Sequence, residues 1–140
     1  MKEPKVVVIL LNFNGFFDTV NCIKSLMNIN YKNYEIMVID NGSKVDEASR
    51  LKSAFNDSIG AIRLSKNIGF AAGCNMGINL ALQNRANYVL LLNNDTVIKE
   101  DFLTTIVNVA ETNSDIGILG PKIYILSRDG ARKLLRLLPC

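Results

Sequence analysis

The stretch YVLLLNNDTVI, residues 88–98, joins an apolar run to side chains that could do chemistry. The run leads directly into Asn93, Asn94 and Asp95. A run this apolar is typical of a strand buried on both faces. Because such a strand seldom ends in two amides and a carboxylate only to make a turn, these three residues are candidates for a functional site.

The residue types in the chain limit the chemistry of such a site. The 140 residues include no histidine, which excludes a Ser-His-Asp triad, a Cys-His pair and a histidine metal site. Acid–base or metal chemistry must therefore use carboxylates, lysines, tyrosines or thiols. Cys22, Cys74 and Cys140 form no spaced pair, so we expect reduced thiols of a cytosolic protein. The net charge of +3 is too small to argue for a nucleic-acid partner, and we expect none.

Two common nucleotide-binding motifs are absent from the sequence. There is no GxxxxGK[ST] phosphate loop, and Gly69, Gly73 and Gly77 do not have the spacing of the GxGxxG fingerprint. On a helix these three glycines share one face, which favours close packing of that helix on a sheet. The apolar run at residues 6–11 is too short for a signal peptide, and no window approaches the length of a membrane span.

Strand-like and helix-like segments alternate along the chain, and this alternation predicts βαβ units and an α/β fold with a mainly parallel sheet. The predicted strands are residues 5–12, 34–40, 59–65 and 87–93, with one or two more within 116–126. The predicted helices are residues 16–28, 45–55, 69–84 and 100–113, of which the second is polar and expected to be exposed.

The first four predicted strands all end in polar side chains, at residues 12–15, 40–43, 66–67 and 93–95. In an open α/β sheet, ligands bind outside the carboxyl ends of the strands, so these four ends form a candidate crevice. Each end by itself is also typical of a turn. Asp40-Asn41-Gly42-Ser43 in particular has the residue types that turns prefer.

Four segments together resemble the successive motifs of the family 2 glycosyltransferases: VVVILLNFNG, EIMVIDNGS, KNIGFAAGCNMGI and VLLLNNDTVI. The resemblance covers roughly residues 5–125 and implies a Rossmann-like GT-A fold, truncated relative to the family. It implies an inverting enzyme of polysaccharide biosynthesis that transfers a sugar from a UDP- or dTDP-sugar to a glycan or lipid-linked acceptor. The LNNDT variant is similar to the rhamnosyltransferase-like subgroup.

The resemblance also implies roles for individual residues. Asp40 would pair with the base or ribose of the nucleotide. Asn93 to Asp95 match the family's Asp-x-Asp motif, in which Asp95 would be the one charged protein ligand of Mg²⁺ or Mn²⁺. That ion would act as a Lewis acid on the leaving diphosphate. The nucleotide-binding residues implied in this way are Leu11, Asn12, Asn14, Asp40, Asn67, Gly73, Asn75, Asn93 and Asn94.

The resemblance does not identify a catalytic base. In the family the base lies well after the metal motif, and the chain is shorter than family members. The carboxylates that follow Asp95 are Glu100, Asp101, Glu111, Asp115 and Asp129, and none is in the family position. We therefore expect mainly the donor-binding half of a transferase.

The expected organisation is a nucleotide-sugar-binding GT-A domain at residues 1–126 and a basic C-terminal stub at 127–140. Two alternatives stay open. One is a catalytically silent nucleotide-binding module, and the other is a subunit completed by a partner chain or a second copy through its uncovered sheet edge. The expected location is the cytoplasm, or the inner face of the membrane, where the basic tail could lie on the surface.

Overall fold

The computed structural model describes residues 3–126 and 132–134. The chain divides into two compact units, residues 1–102 and 103–140. The elements of the first unit are β1 (Val6–Asn12), α1 (Phe16–Met27), β2 (Tyr34–Asp40), α2 (Glu47–Ala54), β3 (Gly60–Arg63), α3 (Phe70–Gln83) and β4 (Tyr88–Asn93). Then come α4 (Phe102–Thr112), which begins at the boundary, and in the second unit β5 (Tyr124–Leu126) and β6 (Arg132–Leu134).

The first unit is built on a four-stranded sheet with the order β3-β2-β1-β4. All neighbouring strands in this sheet run parallel, which confirms the predicted α/β fold. The chain extends from β1 to β3 on one side and then returns to place β4 on the other side of β1. The register sets Asn12 opposite Asp40 and Leu11 opposite Asn93, so the polar strand ends meet at one edge of the sheet.

β1 forms the centre of the core. Its residues from Val6 to Leu10 are each at most 1% exposed. Such burial on both faces is expected for a strand inside a parallel sheet that helices cover on both sides. Continuous β-branched and leucine side chains suit this environment, since every side chain of the strand meets another apolar surface.

The two faces of β1 meet different helices. Val7 and Ile9 share a core cluster with Ala81 of α3. On the opposite face, Asn12 is hydrogen-bonded to Thr19 of α1 and to Glu47 of α2. Successive side chains of a strand alternate between faces, so odd-numbered residues of β1 face α3 and even-numbered residues face α1 and α2.

The predicted glycine packing is confirmed at two of its three positions. A Cβ built on Gly77 would lie 2.5 Å from Ile9 Cγ2, and one built on Gly73 would lie 2.5 Å from Leu11 Cδ1. α3 therefore approaches β1 more closely than a helix with side chains at those positions could. Gly69 differs, because it precedes α3 and a Cβ built on it would have no atom within 4 Å.

One prediction of secondary structure needs correction. α2 forms as predicted, with Asp46 accepting a hydrogen bond from the Ser49 backbone at its N-terminus, but it is not an exposed helix. Its residues Glu47, Ala48 and Leu51 are buried, a face too narrow to stand out in a polar sequence. Within residues 116–126 one strand forms, β5, in agreement with the one or two strands predicted there. It pairs antiparallel with β6, which the sequence did not predict. The rest of the predicted stub at 127–140 lies outside the described residues.

Candidate functional site

A cleft of about 520 Å³ lies at the carboxyl ends of β1, β2 and β4, beside the N-terminal half of α3. Its polar lining consists of four asparagines, Asn41, Asn67, Asn93 and Asn94. Two aromatic rings, Phe13 and Phe70, also line it, and the rest of its wall is Ile9, Leu11, Cys74, Leu91 and Leu92. This is the edge of the sheet at which the polar strand ends predicted a crevice.

The cleft brings together part of the predicted set of nucleotide-binding residues. Leu11, Asn67, Asn93 and Asn94 line it. Gly73 lies behind its wall, in contact with Leu11. The lining does not include the remaining predicted nucleotide-binding residues, which are Asn12, Asn14, Asp40 and Asn75, and it does not include the predicted metal ligand Asp95.

Asn12 and Asp40 belong instead to a buried polar network on the α1 and α2 side of the sheet. We define this network as Asn12, Thr19, Asp40, Ser43 and Glu47, all of which are buried. Asn12 Nδ2 donates to Glu47 Oε2 at 2.8 Å, and Thr19 Oγ1 donates to Asn12 Oδ1 at 2.8 Å. The Ser43 hydroxyl and backbone N–H both donate to Asp40 Oδ1. These contacts hold the strand ends to the two helices.

Asp40 has one oxygen that its neighbours leave without a hydrogen bond. Its side chain is 0% exposed, and Oδ2 is a buried atom with no hydrogen-bond partner. The nearest cation is Arg63, whose Nε lies 3.9 Å from Oδ2 and whose Nη2 donates to the Ser43 carbonyl at 2.9 Å. Since a buried carboxylate needs compensation, Arg63 offsets the Asp40 charge at the end of β3.

Asn14 and Asn75 are both exposed and lie apart from the lining. Asn14 adopts a φ of 53°, its backbone N–H donates to Ser43 Oγ at 2.8 Å, and its Oδ1 accepts from the Lys44 N–H at 2.9 Å. It thereby joins the turn after β1 to the turn after β2. Asn75 follows Cys74 on α3, but of the two only Cys74 lines the cleft, and the side of α3 that carries Asn75 is exposed.

Asn41 is a lining residue that the sequence-based reasoning did not select. It is 2% exposed, and its side chain makes three hydrogen bonds to the loop before α3. Its Nδ2 donates to Asn67 Oδ1 at 3.1 Å and to the Gly69 carbonyl at 3.2 Å, and its Oδ1 accepts from the Ile68 N–H at 3.0 Å. Asn41 therefore ties this loop to the end of β2. Its place next to Asp40 in a turn-like segment was the available signal.

Phe13 and Phe70 were also missed as individual site residues. Phe13 is 50% exposed and Phe70 65% exposed, although both are large and apolar. Exposed aromatic rings in a cleft offer surfaces on which a planar base can stack. Phe13 lies between Asn12 and Asn14, two of the residues that the family resemblance implied for nucleotide binding.

The end of β4 carries the residues of the predicted metal motif. Asn93 is exposed in the cleft, and Asn94 Nδ2 donates to Thr19 Oγ1 at 2.9 Å. Asp95, the next residue, is exposed and forms no ion pair with the residues that the structure describes. The thiol of Cys22 lies below this segment and donates to the Asn93 carbonyl at 3.7 Å. The pKa of Cys22 is raised to about 12, mainly because the thiol is buried and in smaller part because of the negative charge of Asp95, while a hydrogen bond to the Thr96 backbone acts in the opposite direction.

The donor set fits a metal ion only if the ion's ligands come mostly from a bound molecule. Within residues 3–126 and 132–134, no three His, Cys, Asp or Glu side chains cluster in a way that could hold an ion. Asp95 supplies one free carboxylate, and Mg²⁺ typically takes one or two carboxylates together with substrate phosphates and water. A diphosphate beside Asp95 would meet this requirement.

A second, more open concavity of about 530 Å³ is formed by the C-terminal end of α1 and residues 97–101. Glu100 and Asp101, two of the carboxylates considered as a base, line this concavity and not the cleft. Glu111 and Asp115 belong to the second unit, and Asp129 lies outside the described residues. No helix in the described part of the chain has the length and hydropathy needed to cross a membrane.

The chain has an α/β fold with a cleft at the carboxyl ends of its parallel strands. The chain belongs to glycosyl transferase family 2, whose model matches residues 7–137. This confirms the family that the four motifs resemble.

Curated relatives support this assignment. The chain is 30% identical to glycosyltransferase GlyG of Streptococcus pneumoniae serotype 4 over 117 residues, which is 81% of this chain and 37% of GlyG. It is 30% identical to a cholesterol galactosyltransferase of Borreliella burgdorferi over 138 residues, 96% of this chain and 37% of that protein. The chain therefore spans little more than a third of the length of these relatives.

Solved structures show the same fold. A mannosyltransferase of Pyrobaculum calidifontis, in complex with GDP-Man and Mn²⁺, matches with a TM-score of 0.67 at 18% identity, over 79% of this chain and 33% of that one. TarS of S. aureus, in complex with UDP-GlcNAc, matches with a TM-score of 0.64 at 18% identity, over 77% of this chain and 31% of that one. These matches confirm the GT-A fold.

Proposed function

We propose that this chain is the donor-binding part of a metal-dependent glycosyltransferase, and that its cleft binds a nucleotide-diphosphate sugar of the UDP or dTDP type. The observation that carries the proposal is the composition of the cleft. Two exposed rings, Phe13 and Phe70, stand beside four asparagines at the carboxyl edge of a parallel sheet, and the exposed carboxylate of Asp95 follows Asn94 directly in the chain. The complexes of the mannosyltransferase with GDP-Man and Mn²⁺ and of TarS with UDP-GlcNAc are in line with such a ligand.

Each part of the cleft suits one part of this ligand. The faces of Phe13 and Phe70 suit a base, since stacking on an aromatic ring accepts any base. Amide groups suit ribose hydroxyls, because an asparagine side chain both donates and accepts hydrogen bonds. Asp95 would hold Mg²⁺ or Mn²⁺ together with diphosphate oxygens. When bound, that ion would supply Lewis-acid stabilisation of the departing diphosphate.

The cleft lacks a group that could deprotonate an acceptor. Its lining includes no carboxylate, lysine or tyrosine, and its one titratable group is the Cys74 thiol, whose pKa burial raises. An inverting transfer forms a bond from the acceptor oxygen to the sugar carbon, breaks the bond to the diphosphate and needs a base for the hydroxyl proton. We infer that the base and the glycan or lipid-linked acceptor are held by groups outside this lining. The same groups would determine whether the transferred sugar is a hexose or rhamnose.

The lack of a base in the cleft lining also favours a second candidate function, a catalytically silent nucleotide-sugar binding module. The two functions differ in turnover but not in donor binding. Release of nucleotide from UDP-, dTDP- and GDP-sugars, measured with acceptor sugars present, distinguishes them. We expect binding with little turnover for the isolated chain, because removing a positioned base costs about 10²–10⁴-fold in rate. The predicted domain boundary at residue 126 and the cytoplasmic or peripheral location are part of this proposal.

The test of donor binding is calorimetric titration with UDP, dTDP and GDP, with and without Mn²⁺. We expect Asp95→Ala to remove the Mn²⁺-dependent part of the affinity while leaving the melting temperature within about 2 °C of the parent's, since exposed substitutions change stability little. Asp101→Ala is the matched control, because Asp101 is also an exposed carboxylate but lies in the other concavity. Equal Mn²⁺-dependent binding by the parent and Asp95→Ala would contradict the metal role.

A further inference from the structure

The buried polar network contains a chain of hydrogen bonds whose donor and acceptor order is fixed from one end. Glu47 Oε2 accepts from the Gly15 backbone N–H at 3.1 Å. A backbone N–H can only donate and a carboxylate oxygen can only accept, so Oε2 is an acceptor in both of its contacts. Asn12 must then approach the same oxygen, at 2.8 Å, with its Nδ2 group. This leaves Asn12 with its Oδ1 directed to the other side, toward α1.

The order continues through Thr19 to the cleft. Because Asn12 Oδ1 can only accept, the Thr19 hydroxyl donates its one proton to this oxygen in a hydrogen bond of 2.8 Å. The Thr19 oxygen can then only accept a hydrogen bond from Asn94. Asn94 does present Nδ2 to it, at 2.9 Å. The two ends of a primary amide point away from each other, so Asn94 Oδ1 is directed away from Thr19.

We propose that Glu47, Asn12 and Thr19 are positioning residues that fix the Asn94 amide in one orientation, so that Asn94 acts in the cleft as a hydrogen-bond acceptor. The matching ligand group is a hydroxyl donor, such as a hydroxyl of the ribose. The proposal rests on the proposed function in this respect alone, that the cleft takes a nucleotide. Asn94 lines the cleft, and among the described residues no donor to its Oδ1 is found.

The same order restricts the residue type at position 94. An aspartate at position 94 has no proton to give to Thr19. The Thr19 hydroxyl would then face two acceptors, Asn12 Oδ1 and the carboxylate, with a single proton. One of these buried or partly buried acceptors would lose its partner, which is unfavourable. Position 94 therefore requires an amide as long as Glu47 anchors the chain.

The first test follows the Asn94 side-chain amide by NMR in the nucleotide-free chain. We expect its Nδ2 protons to exchange at least about 10-fold faster in Thr19→Val, which is isosteric but lacks the hydroxyl, and at the parent's rate in Thr19→Ser. The backbone amide of Val8, in the centre of β1, reports global opening. Its exchange rate should change much less between the variants than that of the Asn94 side-chain amide. The proposal would be overturned if the Asn94 amide exchanged in Thr19→Val at the parent's rate. It would also be overturned if Thr19→Ser accelerated this exchange as much as Thr19→Val.

A second pair of variants keeps the test informative if Thr19→Val does not fold. Asn94→Asp and Asn93→Asp add the same charge to adjacent residues of the cleft, but only Asn94 touches Thr19. We expect Asn94→Asp to lower the melting temperature by about 3–5 °C more than Asn93→Asp, as loss of one hydrogen bond predicts for a chain of this size. Equal melting temperatures would overturn the polarity argument.

The third measurement separates this proposal from the proposed function. In calorimetric titrations with UDP and Mn²⁺, we expect Thr19→Val to bind about 10-fold more weakly and Thr19→Ser to bind within about 2-fold of the parent. If the parent binds no nucleotide, the proposed function fails, while the exchange of the Asn94 amide still decides whether the chain positions it. Full affinity in Thr19→Val, with the amide protection lost, would overturn the role of Asn94 in ligand binding.

Discussion

Gly42 lies directly against the backbone of Lys66. A Cβ built on Gly42 would stand 2.4 Å from the carbonyl carbon of Lys66 and 2.6 Å from the nitrogen of Asn67. Gly42 also has a φ of 77°, which is unfavourable for other residues. The turn after β2 therefore packs on the loop after β3 with no room for a side chain. This contact positions the backbone of Asn67, a residue that lines the cleft.

The first prediction concerns this contact. Gly42→Ala should lower the free energy of unfolding by about 3 kcal/mol, because the cost of the positive φ and the cost of the backbone clash add. Gly69→Ala is a matched control, since Gly69 has a φ of 89° but a Cβ added there would meet no atom within 4 Å. Urea denaturation of both variants separates strain from contact. Equal losses would mean that the Lys66 loop moves away at no cost.

A second prediction concerns the loop that Asn41 holds. In Asn41→Asp the carboxylate can still accept from the Ile68 N–H, but it faces the oxygens of Asn67 and Gly69 with no proton to donate. Hydrogen exchange of the Ile68 and Gly69 amides should accelerate by about 10-fold. Asn67→Asp adds the same charge but keeps its Oδ1 acceptor for Asn41 and Gly69, so its exchange should stay within about 3-fold of the parent's. Similar acceleration in both variants would assign the effect to charge.

The third prediction concerns Asp40 and Arg63. Arg63→Met removes the cation nearest to a fully buried carboxylate oxygen, and we expect a loss of about 1–3 kcal/mol of stability, moderated because Arg63 is 40% exposed. Asp40→Asn in the Arg63→Met background should recover part of that loss. As a control, Glu35→Gln breaks the exposed Lys5–Glu35 pair and should cost less than about 1 kcal/mol. Equal losses for Arg63→Met and Glu35→Gln would show that Asp40 does not depend on Arg63.

The fourth prediction concerns the Cys22 thiol, whose pKa burial raises from 9.0 to about 12. Between these values the unfolded chain loses the thiol proton while the folded chain keeps it. Ionisation therefore favours unfolding, so this group's contribution to stability is complete below pH 9 and decreases as the pH rises toward 12. The parent should lose stability over this range more steeply than Cys22→Ala, as measured by urea denaturation at about pH 8 and about pH 10.5. Parallel pH profiles would mean that Cys22 ionises as readily in the folded chain as in the unfolded one.

The α/β fold and the edge of the sheet that carries the cleft follow from patterns that the sequence displays directly. Apolar strands alternate with helical spacing, and the polar residues after each strand mark the carboxyl edge. Asn93, Asn94 and Asn67 could therefore be placed near the cleft from their positions after β4 and β3. Family motifs added the fold of the whole unit, since local patterns do not determine strand order.

The face on which a residue lies could not be predicted in the same way. A strand with one exposed face alternates between apolar and polar residues, and that alternation identifies its inner side. β1 and β2 are apolar on both faces, so nothing in their sequence indicates that Asn12 and Asp40 point toward α1 and α2. The same parity directs Leu11 and Asn93 to the cleft. Glu47 was overlooked for a related reason, because a glutamate at the start of a polar helix gives no signal that it is buried.

The strand order β3-β2-β1-β4 has a consequence for folding while the chain is being synthesised on the ribosome. β1 is made first and pairs with β2 soon after, but its other side stays open until Tyr88 and the rest of β4 have been made. At typical rates of about 5–20 residues per second, this leaves an apolar strand edge uncovered for several seconds. An uncovered edge of this kind can pair with other chains. The residues that complete the cleft are thus also the ones that end the period in which the nascent chain is most prone to aggregate.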